Sequence, residues 1–155
     1  TNAALGNADF ICSKTAQTGE LRRMIYLDRE GPIPWLAQFK ERLLARRVTR
    51  FDESNWWKWG RRHHVSDAPR IYVNQKTRRP RPFFLNDCRN YDGAILALFP
   101  HHRDAGLEGL RDLLNDVDWA ELGFVCDGRF LFAQRSLAQA LLPEDFAPFA
   151  TRALV

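Results

Sequence analysis

The middle of the chain mixes cationic, aromatic and amide side chains in a way that suits contact with a nucleic acid. Between positions 55 and 81 lie three tryptophans, one tyrosine and eight Lys or Arg residues, together with two Asn and one Gln. Cations neutralise phosphates, Arg, Asn and Gln can pair with base edges, and aromatic rings can stack on bases. The residues expected to contact the nucleic acid are Asn55, Trp57, Lys58, Arg61, Arg62, Asn74, Gln75, Lys76, Arg78, Arg79 and Arg81.

The positive charge of the chain is concentrated in this central region. Residues 40–81 hold thirteen Lys or Arg against four Asp or Glu, whereas residues 82–155 hold six against eleven. The formal net charge of +4 therefore conceals a balance of +9 in the central window and −5 after it. Arg supplies 19 of the 23 cations, and its planar guanidinium binds phosphate or guanine edges in a bidentate way. This distribution predicts an anionic partner for the central region.

Sequence motifs of common catalytic and cofactor sites are missing from the chain. It has no glycine-rich turn of the G-x-G-x-x-G or P-loop type, and no Ser or Cys in a nucleophile-elbow sequence. His63-His64 and His101-His102 are adjacent pairs, and neighbouring side chains on a strand point to opposite faces, which suits one metal site poorly. We therefore expect no catalytic residue, no metal and no cofactor here, and a chain that is not an enzyme by itself.

Two other functions stay open on the residues alone. Asp87, Asp92 and Asp127 could hold Mg²⁺ in a small metal-dependent nuclease, although Asp92 and Asp127 each precede a glycine, which is typical of turns. The tryptophans could instead stack on the unpaired bases of single-stranded RNA or DNA. Because neighbours in an extended segment point to opposite sides, at least one of Trp56 and Trp57 should lie in the core.

The strands that must position these residues are short. Apolar or β-branched segments predict strands at residues 10–12, 23–27, 70–74, 82–85 and 94–99. Residues 123–126 and 129–132, joined by Asp127-Gly128, predict a hairpin, because Asp-Gly tolerates the positive φ that a two-residue turn requires. Residues 74–81 are then expected to form an exposed basic loop between two strands.

Helical patterns complete an α+β fold. An apolar stripe of Trp35, Leu36, Phe39 and Leu43 follows Pro34 and predicts one helix. Leucines at helical spacing predict the clearest helix over residues 107–117, and a capping box predicts a third over 136–142. We expect a single α+β domain over residues 1–155, with a mixed or mainly antiparallel sheet and three or four helices.

Cysteine usage and hydropathy bear on the compartment. Three widely spaced cysteines, an odd number, predict neither a disulfide framework nor a zinc site. The longest apolar runs are far shorter than the ~20 residues of a membrane-spanning helix. We therefore expect a soluble cytoplasmic protein with no membrane partner. The chain starts at Thr1 rather than Met, which favours a piece of a larger protein.

Several stretches together resemble a known family. They are Asn55-Trp56-Trp57-Lys58-Trp59-Gly60-Arg61, residues 70–74 with Lys76-Thr77-Arg78 and Pro82-Phe83-Phe84, residues 91–100, Asp118-Trp119 and residues 122–130. Over roughly residues 24–143 the chain resembles the target-recognition region of adenine-specific DNA methyltransferases from bacterial restriction–modification systems.

The resemblance implies sequence-specific recognition of double-stranded DNA beside a methyltransferase catalytic domain in cis. The family's methyl-donor glycine motif and its Asn/Asp-Pro-Pro-aromatic catalytic motif are both missing from this chain. The resemblance therefore implies that S-adenosylmethionine is bound elsewhere in a parent protein, and that methyl transfer lies outside this chain.

Overall fold

A computed structural model describes residues 7–25, 31–47, 50–60, 66–102 and 106–149. These ranges hold four α-helices, eight short strands and two 3-10 segments, so the chain has the α+β fold class that the sequence predicts. The elements are, in order, β1 (Asn7–Phe10), α1 (Thr15–Thr18), β2 (Arg22–Ile25), a 3-10 segment (Pro34–Phe39), α2 (Lys40–Leu44), β3 (Ile71–Asn74), β4 (Lys76–Thr77), β5 (Phe83–Phe84), β6 (Ile95–Leu98), α3 (Leu107–Asp116), β7 (Val125–Cys126), β8 (Arg129–Leu131), α4 (Gln134–Ala138) and a second 3-10 segment (Glu144–Phe149).

The described strands form three small antiparallel sheets, where the sequence predicts one sheet. β1 pairs with β2, the second sheet has the order β5-β3-β6, and the third has the order β4-β8-β7. The predicted strands at 70–74, 82–85 and 94–99 are confirmed as β3, β5 and β6, with shorter bounds. The strand predicted at 10–12 is displaced, because β1 ends at Phe10 and Ile11 makes only an isolated parallel bridge to Tyr91.

A change of partner at Gln75 separates the second and third sheets. Asn74 is the last residue of β3 and pairs with β6, whereas Lys76 is the first residue of β4 and pairs with β8. The Gln75 N–H donates to the Ala94 carbonyl at 2.9 Å, and the Gln75 carbonyl accepts from the Phe132 N–H at 2.8 Å. Both backbone groups are therefore satisfied, and the prediction that residues 74–81 form one loop is wrong at Lys76-Thr77.

The main core lies between α3 and the aromatic residues of β5, β8 and the turn before β7. Leu110 and Leu114 are buried at the i, i+4 spacing of one helix face, which confirms the predicted apolar stripe of α3. The Trp119 ring lies beneath them and contacts the rings of Phe83 and Phe132. No helix in the described ranges is both long enough and apolar enough to cross a membrane.

A second, smaller cluster packs the 3-10 segment against residues 50–60. Its buried members are Ile33, Leu36, Trp56 and Trp57. The predicted regular helix from Pro34 is wrong in its first part, which is a 3-10 helix with about three residues per turn. That spacing aligns Ile33 with Leu36 and leaves Trp35, which the sequence places in the buried stripe, 48% exposed.

The predicted hairpin at residues 123–132 and the predicted capped helix at residues 136–142 have different outcomes. The hairpin is confirmed, since β7 and β8 pair across Asp127 and Gly128, whose φ angles are 51° and 67°. The capping box at Ser136 is wrong, because α4 begins two residues earlier and Ser136 lies inside it. The Leu137 N–H already bonds to the Ala133 carbonyl, so the helix starts as soon as the chain leaves the core at Phe132.

Replacing Gly128 by alanine is expected to lower the free energy of unfolding by about 1 kcal/mol, because a left-handed backbone costs an L side chain this much. A Cβ at Gly128 would meet no atom within 4 Å, so the cost is conformational alone. Urea denaturation measures the difference. Gly93→Ala is the control, since Gly93 also has open space and its φ lies outside the left-handed region. Equal losses in both variants would contradict the prediction.

Candidate nucleic-acid interface

Strand alternation divides the residues of β3 and β4 between two sides. Val73 belongs to the main core, whereas Asn74 points the other way and its Nδ2 donates to the Ser13 carbonyl at 2.7 Å. Thr77 is buried, and its neighbour Lys76 is exposed. Because the side chains of a strand alternate, Lys76 lies on the outer face of the third sheet.

Register places a further cation beside Lys76. Lys76 and Leu131 are directly opposite on β4 and β8, and Arg129 lies two residues from Leu131 and so faces the same side. Arg78 follows β4 and is also exposed. None of these three cations has an ion-pair partner within the ranges that the structure describes.

Helix α1 is anchored close to these residues. The Asn74 amide holds the Ser13 carbonyl, and the Arg79 guanidinium donates to the Ala16 carbonyl. Lys14 lies between these two anchored residues and is exposed, with no ion pair to any other described residue. We call the surface formed by Lys76, Arg78 and Arg129 the cationic face.

Two of these cations, Arg129 and Lys14, are absent from the sequence prediction. Arg129 could be assigned to one side of the hairpin by its Asp-Gly turn, but the strand opposite it, β4, carries no strand signal in the sequence. Lys14 is the N-cap residue of a four-residue helix that the sequence does not predict. The contacts that bring Arg129 and α1 to this region join residues far apart in the chain.

Arg81, a predicted contact residue, lies instead beside the acidic surface of α3. Its guanidinium pairs with Asp116 at 2.8 Å and with Asp112 at 3.5 Å. The three side chains are all about half exposed or more, so these ion pairs add little to stability. They nevertheless offset the charge of Arg81, which reduces its value as a phosphate contact.

The two amides predicted to read bases are both engaged within the chain. Asn74 is 6% exposed, its Nδ2 holds the Ser13 carbonyl, and its Oδ1 is buried with no hydrogen-bond partner. The Gln75 Nε2 donates to the Gly93 carbonyl at 2.9 Å. In this arrangement Asn74 connects α1 to the sheet, and Gln75 supports the change of partner between the two sheets.

The tryptophan cluster is an internal packing unit. Trp57 is 7% exposed and Trp56 is 5% exposed, so the expectation that at least one is in the core is confirmed for both. The segment is a turn rather than an extended strand, since the Trp56 N–H bonds to the Asp52 carbonyl and the Asn55 Oδ1 accepts from the Asp52 N–H at 2.8 Å. The predicted contacts from Trp57 are therefore not available at the surface, and the Asn55 side chain serves the turn.

Arg46 holds this turn in place. Its Nη2 donates to the carbonyls of Trp56 at 2.7 Å and Lys58 at 2.9 Å, and its Nε donates to that of Leu43 at 2.9 Å. The guanidinium lies 3.8 Å from the centre of the Phe51 ring, and partial burial lowers the pKa of Arg46. The side chain of Lys58 remains exposed, while the predicted contacts Arg61 and Arg62, and the pair His63-His64, lie outside the described residues.

The carboxylates considered for a nuclease are not gathered into a site. In the ranges that the structure describes, no group of three or more His, Cys, Asp or Glu side chains could hold a metal ion. The Asp92 Oδ1 accepts from the Ala94 N–H at 2.9 Å, and Asp127 lies in the hairpin turn. His101 and His102 are both exposed. The two aspartates followed by glycine therefore have turn-forming roles.

Cys12 is a buried thiol that lies three residues before the start of α1. Burial raises the pKa of this thiol, but hydrogen bonds from the Thr15 hydroxyl and from the Lys14 and Thr15 backbone N–H groups lower it, and the net pKa lies below the ordinary value. The Thr15 Oγ1 lies 3.6 Å from the Cys12 Sγ. These contacts favour the thiolate form of Cys12.

The described residues thus place three cations on one surface and bury most of the aromatic rings that the sequence offers for stacking. The chemistry of this surface is electrostatic, and the two amides predicted to read bases, Asn74 and Gln75, both donate within the chain. Comparisons with models of protein families, with curated proteins and with solved structures find no significant match to this chain.

Proposed function

We propose that this chain binds double-stranded DNA, with the cationic face in contact with the phosphate backbone. The observation that carries the proposal is the alignment of Lys76 and Arg129 on two paired strands, with the exposed Arg78 directly after β4. These side chains have no carboxylate partner among the described residues, so their charge is available to phosphates. Phosphate contacts of this kind position a protein on a duplex and supply much of its affinity.

The burial of most of the tryptophans favours a DNA duplex over a single strand as the ligand. Proteins that bind single strands combine a cationic groove with exposed aromatic rings on which bases stack. Trp56, Trp57 and Trp119 are buried, and Trp59 is partly buried against Phe10. Trp35 is the one tryptophan of the five that is largely exposed. Stacking on unpaired bases would therefore have few rings to use.

A finer assignment follows the resemblance of the sequence. We infer a target-recognition role within an adenine-specific DNA methyltransferase of a bacterial, cytoplasmic restriction–modification system, with the catalytic domain in cis. Binding of S-adenosylmethionine and methyl transfer then belong to that domain, because this chain has neither of the family's two motifs for them. The support for this finer role is the sequence pattern, and the support for duplex binding is the geometry of the cationic face.

The affinity of the chain for a duplex is expected to fall steeply as salt rises, because each neutralised phosphate releases counterions. Alanine at Lys76 or Arg129 should weaken binding to every duplex and reduce the slope of log K against log salt by about one. Arg81→Ala is the matched control, since Asp112 and Asp116 already offset its charge. Fluorescence anisotropy measures these effects with duplexes of random sequence and with single strands of the same length.

Two results would contradict duplex binding by this face. One is the absence of duplex binding at the lowest salt used. The other is a slope that Arg81→Ala changes as much as Arg129→Ala does, because that would make the paired cation as important as the unpaired one. Preference for the single strand over the duplex would support the stacking alternative. Circular dichroism of each variant verifies that the fold is retained.

A further inference from the structure

Helix α4 and the residue after it present two polar side chains away from the core. Leu137 and Ala140 pack against the main core. Because an α-helix has about 3.6 residues per turn, Arg135 and Gln139 lie on the opposite side of this helix, and both are exposed. Neither side chain forms a hydrogen bond or an ion pair with another residue that the structure describes. The helix therefore offers a guanidinium and an amide to a ligand.

A cleft connects α4 to the sheet that carries the cationic face. Its volume is about 460 Å³, and its lining includes Ser136 and Gln139 from the α4 region and Leu131 from β8. Leu131 pairs directly with Lys76 on β4, and Arg129 lies two residues before Leu131 on the same face of the sheet. The Gln139 side chain therefore borders a cleft whose wall also belongs to the strand that carries Arg129.

We propose that Arg135 and Gln139 read base edges in the major groove of the duplex whose phosphates contact the cationic face. This inference rests on the proposed function and assigns the residues that recognise sequence. Arginine forms two hydrogen bonds with the O6 and N7 of guanine, and glutamine forms two with the N6 and N7 of adenine. The major groove admits an α-helix, and phosphate contacts such as those of Lys76 and Arg129 fix the register of a protein on the duplex.

Selection from a library of random duplexes by the intact chain identifies the preferred sequence. Residues four positions apart on a helix are separated by about 6 Å along its axis. Successive base pairs are about 3.4 Å apart. The sequences retained by the chain should therefore share a guanine and an adenine that lie about two base-pair steps from each other.

Alanine variants test the two side chains on the selected duplex and on a scrambled one. Gln139→Ala should weaken binding to the selected duplex about tenfold and leave binding to the scrambled duplex nearly unchanged, because the amide pairs only with the correct base. Lys76→Ala should weaken both duplexes alike, since phosphates carry no sequence information. Gln38→Ala is the matched control at an exposed glutamine of the first 3-10 segment that does not line the cleft.

The possible failures separate this inference from the proposed function. Duplex binding without a preferred sequence would overturn the inference and leave phosphate contact by the cationic face standing. The same holds if Arg135→Ala and Gln139→Ala both keep the full preference, or if Gln38→Ala loses as much of it as Gln139→Ala does. A chain that binds no duplex at low salt would overturn both proposals. Circular dichroism verifies that each variant retains the fold.

Discussion

Replacing Trp119 by alanine is expected to lower the free energy of unfolding by about 4 kcal/mol, within the range for large aromatic residues in a core. Trp119 is 2% exposed, and its ring centroid lies 5.1 Å from that of Phe124 and 5.3 Å from that of Phe132. Its Nε1–H also donates to the Leu114 carbonyl at 2.7 Å, at the end of α3. The substitution therefore creates a cavity and removes a buried hydrogen bond.

The hydrogen bond and the cavity can be separated by a second variant. Trp119→Phe keeps most of the ring packing but removes the Nε1–H donor, so it should lose about 1–2 kcal/mol. Trp35→Ala is the control for loss of a tryptophan, and its cost should be much smaller because Trp35 is 48% exposed. Denaturation by urea, followed by far-ultraviolet circular dichroism, measures all three. A Trp35→Ala loss as large as that of Trp119→Ala would contradict this description of the core.

Replacing Arg70 by methionine is expected to lower the free energy of unfolding by about 3 kcal/mol, because the charged hydrogen bonds from its buried guanidinium to three backbone carbonyls are lost. Arg70 is 2% exposed, and its guanidinium donates to the carbonyls of Ser66, Ala68 and Arg89. The same group lies 4.7 Å from the centre of the Phe99 ring. Methionine retains much of the apolar stem and removes all of the donors.

Arg89→Met is the matched control, since Arg89 also donates to the Ala68 carbonyl but is exposed. Its loss should be about 0.5 kcal/mol or less, as is usual for surface substitutions. Arg70→Lys should recover only part of the stability, because an ammonium cannot hold three carbonyls in the geometry of a guanidinium. Chemical denaturation distinguishes the three variants. A fully stable Arg70→Lys protein would show that charge and packing, rather than the carbonyl contacts, determine the effect.

These arginines show that the basic composition of the chain serves two purposes. Arg46 and Arg70 donate to backbone carbonyls and hold turns, so their guanidinium groups stabilise the fold. Lys76, Arg78 and Arg129 are left without carboxylate partners among the described residues and face solvent at least in part. A count of cations in a window therefore overestimates the charge that a nucleic acid can contact.

The tryptophans illustrate the same distinction for aromatic residues. The sequence places three of them among cations, which is compatible with stacking on bases and with a local core. In the folded chain Trp56 and Trp57 form an edge-to-face pair with centroids 5.9 Å apart, packed with Ile33 and Leu36. The hydrogen bonds of Asp52 form the turn that makes this packing possible, and its pKa is lowered by hydrogen bonds from the Ser54 hydroxyl and backbone N–H.

The sequence by itself determined the features that local pattern controls. The leucine spacing of α3, the Asp127-Gly128 hairpin and the apolar segments that became β3, β5 and β6 are each encoded within a few consecutive residues. The α+β class follows from these elements. Only the tertiary structure decided which charged and amide side chains reach the surface. Pairing of β4 with β8 places Lys76 on the same face as Arg129. Ion pairing with α3 offsets the charge of Arg81. Burial and pairing are set by partners that lie dozens of residues away, and no local pattern contains them.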